Sequence, residues 1–163
     1  MPVAIRSKRK LEASPHALWE ILSQAGHLER VHPFCLSNTP LEWNETLPKS
    51  DELVYLNQLS YRREFVEWVP EKRFCLTIGK PQGKKSKVIW ELTPKGEKTE
   101  LSITVYPYRS QKISKVLYFL GVNFYIKFQL KKYLHSVLGG IDYYLRHQKP
   151  VPKKYFGTHA WFS

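Results

Sequence analysis

The feature that most constrains the fold is a change of hydrophobic period near residue 110. Residues 34–108 are rich in β-branched and aromatic residues interrupted by short turns, which is typical of strands. Residues 111–148 contain no proline and carry apolar residues at helical spacing, so we predict one helix there, roughly 55 Å long if unbroken. Pro150 and Pro152 end it. The chain is therefore predicted to be a sheet followed by one long helix.

The strand-rich part begins with a half-buried strand and two short helices. Residues 3–12 alternate between apolar and basic side chains, which predicts a strand with a basic outer face. Ser14 and Pro15 form an N-cap and a first helical position, and a second short helix is expected over 26–32. Short turns at 70–72 and 94–97 predict an antiparallel meander. The later predicted strands are 53–59, 61–69, 73–79, 87–93 and 99–106.

Length and charge limit the function classes without selecting one. The chain has 163 residues, a formal net charge of +12 and 14% aromatic residues, so we expect one domain over 1–149 and a basic, aromatic tail over 150–163. Basic and aromatic residues together suit nucleic acid, an anionic membrane or an anionic ligand. Cys35 and Cys75 are too few for a disulfide framework. With no secretory signal or spanning segment recognised, we expect a cytoplasmic protein, with peripheral membrane association left open.

Four stretches of the chain carry a resemblance to a known superfamily. They read LEASPHALWEILSQAGHLERVHP, FVEWVPEKRFCLTI, WELTPKGEKTELSITVYP and LHSVLGGIDYYLR. With the order of elements, they resemble the START-like (SRPBCC) superfamily over residues 3–147. The resemblance implies an α+β helix-grip fold, in which a curved antiparallel sheet of about six to seven strands wraps around the long C-terminal helix. It also implies a large apolar cavity. Members of the superfamily bind lipids, sterols, polyketides, quinones or plant hormones, and some are cyclases, hydroxylase subunits or co-chaperones.

Two polar residues are candidates for contact with a ligand in that cavity. Asn123 lies near the middle of the apolar stripe obtained by projecting the helix backwards at 100° per residue, and a buried amide needs a partner. Arg9 has the inward parity of the first strand. The alternatives are an Asn123 bonded to a neighbouring strand and an Arg9 that reaches solvent at a strand end. The candidate cavity walls are Trp19, Trp90, Tyr106, Phe119 and Leu120.

The first half of the long helix carries apolar residues where its second half is polar. On a straight helix they form a patch pointing away from the sheet, and such patches mark interaction surfaces. The candidate partners are an anionic membrane and a second copy of the chain, and the alternative is that the tail or residues 26–33 cover the patch. The patch consists of Leu117, Tyr118, Val122, Phe124, Tyr125 and Phe128.

No strong catalytic, metal or nucleic-acid motif is found. The loop 79–86 has three residues between its glycines where a phosphate loop needs four, so we interpret it as a solvated basic loop. His27 with Glu29, or Tyr55 with Tyr106, could supply acid–base chemistry, but nothing in the sequence brings them together. Neither a metal site nor a cofactor is expected. The basic residues are dispersed, which makes nucleic acid an improbable partner.

The sequence therefore predicts binding or transport of a hydrophobic or amphipathic molecule, lipid-, polyketide- or quinone-like, between the sheet and the long helix. A polyketide cyclase- or dehydratase-like enzyme is one alternative. A docking module that uses the helix patch is the other.

Overall fold

A computed structural model describes residues 3–108, 116 and 123–163. They form a seven-stranded antiparallel sheet, curved around a long C-terminal helix, with strand order β1-β7-β6-β5-β4-β3-β2. The strands are β1 (Ile5–Leu11), β2 (Cys35–Trp43), β3 (Lys49–Tyr55), β4 (Ser60–Val69), β5 (Arg73–Gly79), β6 (Ser86–Lys95) and β7 (Lys98–Tyr106). The helices are α1 (Pro15–Leu22), α2 (Leu28–Val31) and α3 (Asn123–His147). The helix-grip prediction is confirmed.

The local signals near the N-terminus produce the predicted elements. The Ser14 hydroxyl accepts a hydrogen bond from the Ala17 amide at 3.1 Å, and Pro15 opens α1. The last strand, β7, pairs with the first strand, β1, so that Ile5 lies opposite Val105 and Leu11 lies opposite Thr99. The alternation predicted for β6 and β7 places their apolar residues in the core.

The third strand begins and ends earlier than predicted. Residues 56–59 form a turn instead of extending the strand. Gln58 has φ of 69°, and the Tyr55 amide donates across the turn to the Leu59 carbonyl at 2.8 Å. The strand gains Lys49 and Asp51 at its other end, and both side chains are buried. The sequence had suggested a strand boundary that excluded these polar residues.

The long helix is buried around more of its circumference than its sequence pattern predicts. Ser136 and Asp142 are polar residues of its second half, and both are buried. Asp142 accepts hydrogen bonds from Arg9 and Arg146, each at 2.9 Å. The helix also packs closely against α2, since a Cβ at Gly140 would lie 2.0 Å from the Val31 carbonyl oxygen.

The N-terminal part of the predicted helix lies largely outside the described residues. Val116 lies on the apolar stripe that the backward projection of the helix predicts to face the core, and it is 65% exposed. The projection therefore gave the wrong face at this position. Leu117, Tyr118, Phe119, Leu120 and Val122 lie outside the described residues. No helix in the described part of the chain is long and apolar enough to cross a membrane.

The last residues of the chain fold back onto the domain. The Val151 and Lys154 amides donate to the Arg30 and Pro33 carbonyls at 2.9 and 3.0 Å. Phe162 is buried in the main core cluster. The basic, aromatic tail therefore contacts α2 and Pro33 through the backbone of Val151 and Lys154, and the core through Phe162.

Candidate functional site

A cavity of about 460 Å³ lies between the sheet and α3. Its walls are mainly apolar side chains of β3 to β7 on one side and of α3 on the other. Small-molecule sites typically measure roughly 300–1,000 Å³, so its size suits a ligand of several rings or a folded chain. The apolar wall residues include Leu53, Leu76, Val88, Trp90, Ile103, Val105, Ile126, Leu130, Leu134 and Val137.

The cavity has one polar end, built around Arg63 of β4. This side chain is 3% exposed, and it donates from Nε and Nη2 to the two carboxylate oxygens of Asp51 at 2.8 and 2.5 Å. The two residues stand directly opposite each other in the β3–β4 register. The contact with Arg63 holds the pKa of the Asp51 carboxyl below its usual range in spite of burial. The positive charge of Arg63 at the cavity is therefore already neutralised by the Asp51 carboxylate.

Three aromatic residues complete the polar end in one hydrogen-bonded chain. The Phe34 amide donates to His32 Nδ1 at 3.1 Å, so we assign the imidazole proton to Nε2. That N–H donates to the Tyr133 hydroxyl at 2.5 Å. The Tyr133 and Tyr55 hydroxyls lie 3.3 Å apart. If each group donates once along this chain, the Tyr55 hydrogen is left for an acceptor in the cavity.

Burial fixes the protonation of these groups at neutral pH. Desolvation and the nearby Arg63 charge lower the pKa of His32 to about 3, so its imidazole is neutral. Burial raises the pKa of Tyr55 and of Tyr133 well above the usual value, so both phenols keep their protons. The polar end thus presents hydrogen-bond donors and no net charge.

The tail supplies part of the cavity wall. Phe162 stacks on Tyr55 with ring centroids 4.3 Å apart, and it also packs on Tyr133 at 4.6 Å. Trp161 lines the cavity next to it, and its carbonyl accepts a hydrogen bond from the Asn57 amide group at 2.7 Å. Trp161 and Phe162 therefore cover the polar end.

The cavity opens at the other end, where its lining residues are exposed. Lys80, Gly83 and Lys84 of the β5–β6 loop lie on one side of this mouth, and Tyr108 lies beyond the end of β7. Ile126, near the start of α3, lines the cavity as well. The loop interpreted from sequence as solvated and basic is therefore part of the entrance.

Of the residues predicted to contact a ligand, Trp90 lines the cavity. Trp19 is buried in an aromatic cluster, with ring centroids 5.0 Å from Trp68 and 6.0 Å from Phe74. Arg9 has the predicted inward parity and pairs with Asp142. Tyr106 and Asn123 are half-buried, and neither is among the described lining residues. For all of these, contact with a ligand stays a prediction, and Phe119 and Leu120 lie outside the described residues.

The two residue pairs considered for acid–base chemistry, His27 with Glu29 and Tyr55 with Tyr106, do not hydrogen-bond to each other in the structure. His27 Nδ1 donates to the Gln24 carbonyl at 3.0 Å, while a Glu29 carboxylate oxygen accepts from the Asn38 amide at 3.0 Å. Tyr55 contacts Tyr133 rather than Tyr106. Within the described ranges, no cluster of three or more histidine, cysteine or carboxylate side chains could hold a metal ion.

Comparisons with known proteins agree with this architecture. The family model described as "Polyketide cyclase / dehydrase and lipid transport" matches residues 2–117. A START superfamily protein from Mycobacterium smegmatis superposes with a TM-score of 0.68 at 12% identity, over 90% of this chain and 99% of that one. A protein from Chromobacterium violaceum gives 0.61 at 18% identity, over 89% and 98%. DynU16, from the dynemicin biosynthetic locus, gives 0.68 at 18% identity, over 90% and 48%. The search among curated proteins gave no match.

Proposed function

Because the chain belongs to the polyketide cyclase/dehydrase and lipid transport family, we propose that it binds or carries an apolar or amphipathic small molecule between the sheet and α3. The single observation that carries the proposal is the cavity itself, apolar along its walls and polar at its closed end. An apolar ligand gains free energy by leaving water there, and the few polar groups fix its orientation.

The charge balance of the polar end specifies what part of the ligand lies there. Asp51 accepts hydrogen bonds from Nε and Nη2 of Arg63. Among the described residues, no group accepts a hydrogen bond from the third guanidinium nitrogen, Nη1. A carboxylate ligand would bring a second negative charge to one arginine in a desolvated site, which is unfavourable. A neutral acceptor adds no charge. The ligand therefore ends in a neutral oxygen, as in a ketone, a quinone or a phenol ether.

The same groups support binding better than catalysis. A cyclase or dehydratase must remove a proton from carbon, and an effective general base has a pKa near the working pH. His32 is the candidate base in the described part of the cavity wall. Its Nδ1 lone pair accepts a hydrogen bond from the Phe34 amide, and the pKa of its imidazole lies far below neutrality. The phenols polarise a carbonyl but accept no proton from carbon. The enzyme reading stays the alternative.

Fluorescence titration with prodan, a neutral naphthyl ketone, tests the proposal. We expect saturable binding with a blue-shifted emission, and stronger displacement by 2-acetonaphthone than by 2-naphthoate. Tyr55→Phe removes the hydroxyl that is left to donate to the ligand. One such hydrogen bond is worth about 1 kcal/mol, so the Kd should rise roughly fivefold. Tyr125→Phe, outside the cavity lining, is the matched control. Native mass spectrometry of freshly purified protein identifies any co-purified molecule.

Two results would overturn the proposal. One is the absence of saturable prodan binding together with no released molecule. The other is conversion of an added polyketone by the wild-type protein that is lost in Tyr55→Phe, which would establish the enzyme instead.

A further inference from the structure

The outer face of α3 carries aromatic side chains that no other part of the described chain covers. Phe124 is 72% exposed and Phe128 65%. They lie four residues apart and therefore one above the other on the helix surface. Ile126, between them in sequence, points the other way and lines the cavity. Two exposed phenylalanines on one helical turn are an unusual use of apolar surface in water.

Exposed lysines surround these phenylalanines. Lys127, Lys131 and Lys132 lie on the same side of α3 and are all exposed. No acidic residue occurs in the sequence between Glu100 and Asp142. The cavity entrance carries two more lysines, Lys80 and Lys84. The surface is therefore apolar at its centre and positive around it, which is the pattern of helices that lie on anionic bilayers.

The shape and charge of this surface select its partner. A second copy of the chain would bring the same lysines face to face, because a two-fold contact repeats each patch against itself. Single-stranded nucleic acid binds along a groove, whereas Phe124 and Phe128 project from a convex helix. A bilayer interface accepts a convex apolar ridge, and anionic headgroups neutralise the lysines.

We propose that the face formed by Phe124, Lys127, Phe128, Lys131 and Lys132 docks the protein on an anionic lipid bilayer. Ile126 belongs to the same helical turn and lines the cavity on the opposite side of α3, so docking places this part of the cavity wall next to the membrane surface. The docking surface and the cavity use different side chains, so each can fail independently of the other.

Flotation with vesicles tests docking on the whole chain. We expect binding to phosphatidylglycerol/phosphatidylcholine vesicles, weak binding to phosphatidylcholine alone, and loss of binding at high salt. Lys127→Glu with Lys131→Glu should weaken partition by at least about 25-fold, since each lysine at the surface contributes roughly fivefold. Phe124→Asp with Phe128→Asp should abolish it. Lys72→Glu with Lys95→Glu is the charge-matched control and should lose far less, because both exposed lysines lie at the end of β6 that is roughly 30 Å along the strand from Ser86 at the entrance.

Other outcomes would overturn the proposal. Equal binding to neutral and anionic vesicles would remove the electrostatic argument, and unchanged flotation of both double variants would remove this face. A concentration-dependent dimer, or oligonucleotide binding, lost in the double variants while flotation persists would assign the face to another partner. Prodan binding by each variant shows that it is folded and separates failed docking from a failed cavity.

Discussion

The buried ion pair at the closed end of the cavity gives the sharpest prediction. Asp51 and Arg63 have side-chain exposures of 0 and 3%. In Asp51→Asn the guanidinium stays buried without a counter-charge, and breaking such a pair costs about 3–5 kcal/mol. For a chain of this size we expect the midpoint of thermal unfolding to fall by about 10 °C.

Two controls separate burial from pairing. The Arg73–Glu67 pair joins at 2.7 Å with half-exposed side chains, so Glu67→Gln should cost less than about 1 kcal/mol. Asp51→Leu combined with Arg63→Met removes both charges, so it should recover most of the stability lost in Asp51→Asn. Urea unfolding measures all three. If Asp51→Asn is no more costly than Glu67→Gln, the reasoning from burial is wrong.

The same substitution should change ligand preference. Without the Asp51 carboxylate, the Arg63 charge is available to an anion. We expect Asp51→Asn to bind 2-naphthoate more tightly than the wild type does, and 2-naphthoate to raise its unfolding temperature. A preference for 2-acetonaphthone that is unchanged in Asp51→Asn would refute the charge-balance argument for a neutral ligand.

Three further predictions follow from burial and packing. Burial lowers the pKa of His27 and His32 from 6.5 to about 3. Between these values the unfolded state binds more protons than the folded state, so the free energy of unfolding must fall as the pH drops below 6.5. Each histidine should lower that free energy by about 2 kcal/mol at pH 5, which urea unfolding at a series of pH values measures. Gly140→Ala should destabilise by about 1–3 kcal/mol, because its Cβ would lie 2.0 Å from a backbone carbonyl of α2. In Gly139→Ala the new Cβ meets only an aromatic ring of the tail, and alanine has the higher helix propensity, so this variant should lose less stability than Gly140→Ala. Equal losses of unfolding free energy in the two variants would contradict this account. Phe162→Ala should cost about 3–5 kcal/mol and enlarge the cavity over the two phenols, which prodan affinity and emission would report; unchanged stability would mean that the tail does not pack there.

Most of the fold is predictable from the sequence because its signals are local. Ser14 and Pro15 mark a helix start, and the alternation in β6 and β7 marks buried faces. The edges were less secure: the turn at Gln58 displaced β3 toward Lys49, and the helix projection failed at Val116. The first error arises because the turn at Gln58 interrupts the alternating pattern.

The candidate site was only partly predictable. Trp90 was found because the parity of a strand determines which side faces the helix. Arg63 was missed, although Asp51 has the same parity as Leu53 and Tyr55, because the strand boundary had been placed after Asp51. Extending that strand backwards would have placed a buried carboxylate opposite a buried arginine.

The sequence by itself determined the order of elements and the apolar faces of the strands, since these depend on spacing along the chain, and the resemblance of four stretches indicated the family. Only the tertiary structure decided which polar groups meet. His32 and Tyr133 are 101 positions apart, and the tail reaches Tyr55 from the other end of the chain. Such contacts depend on sheet register and on how the helix rotates in its grip. The change of period near residue 110 predicted the sheet and the helix, and the packing between them determined the chemistry of the cavity.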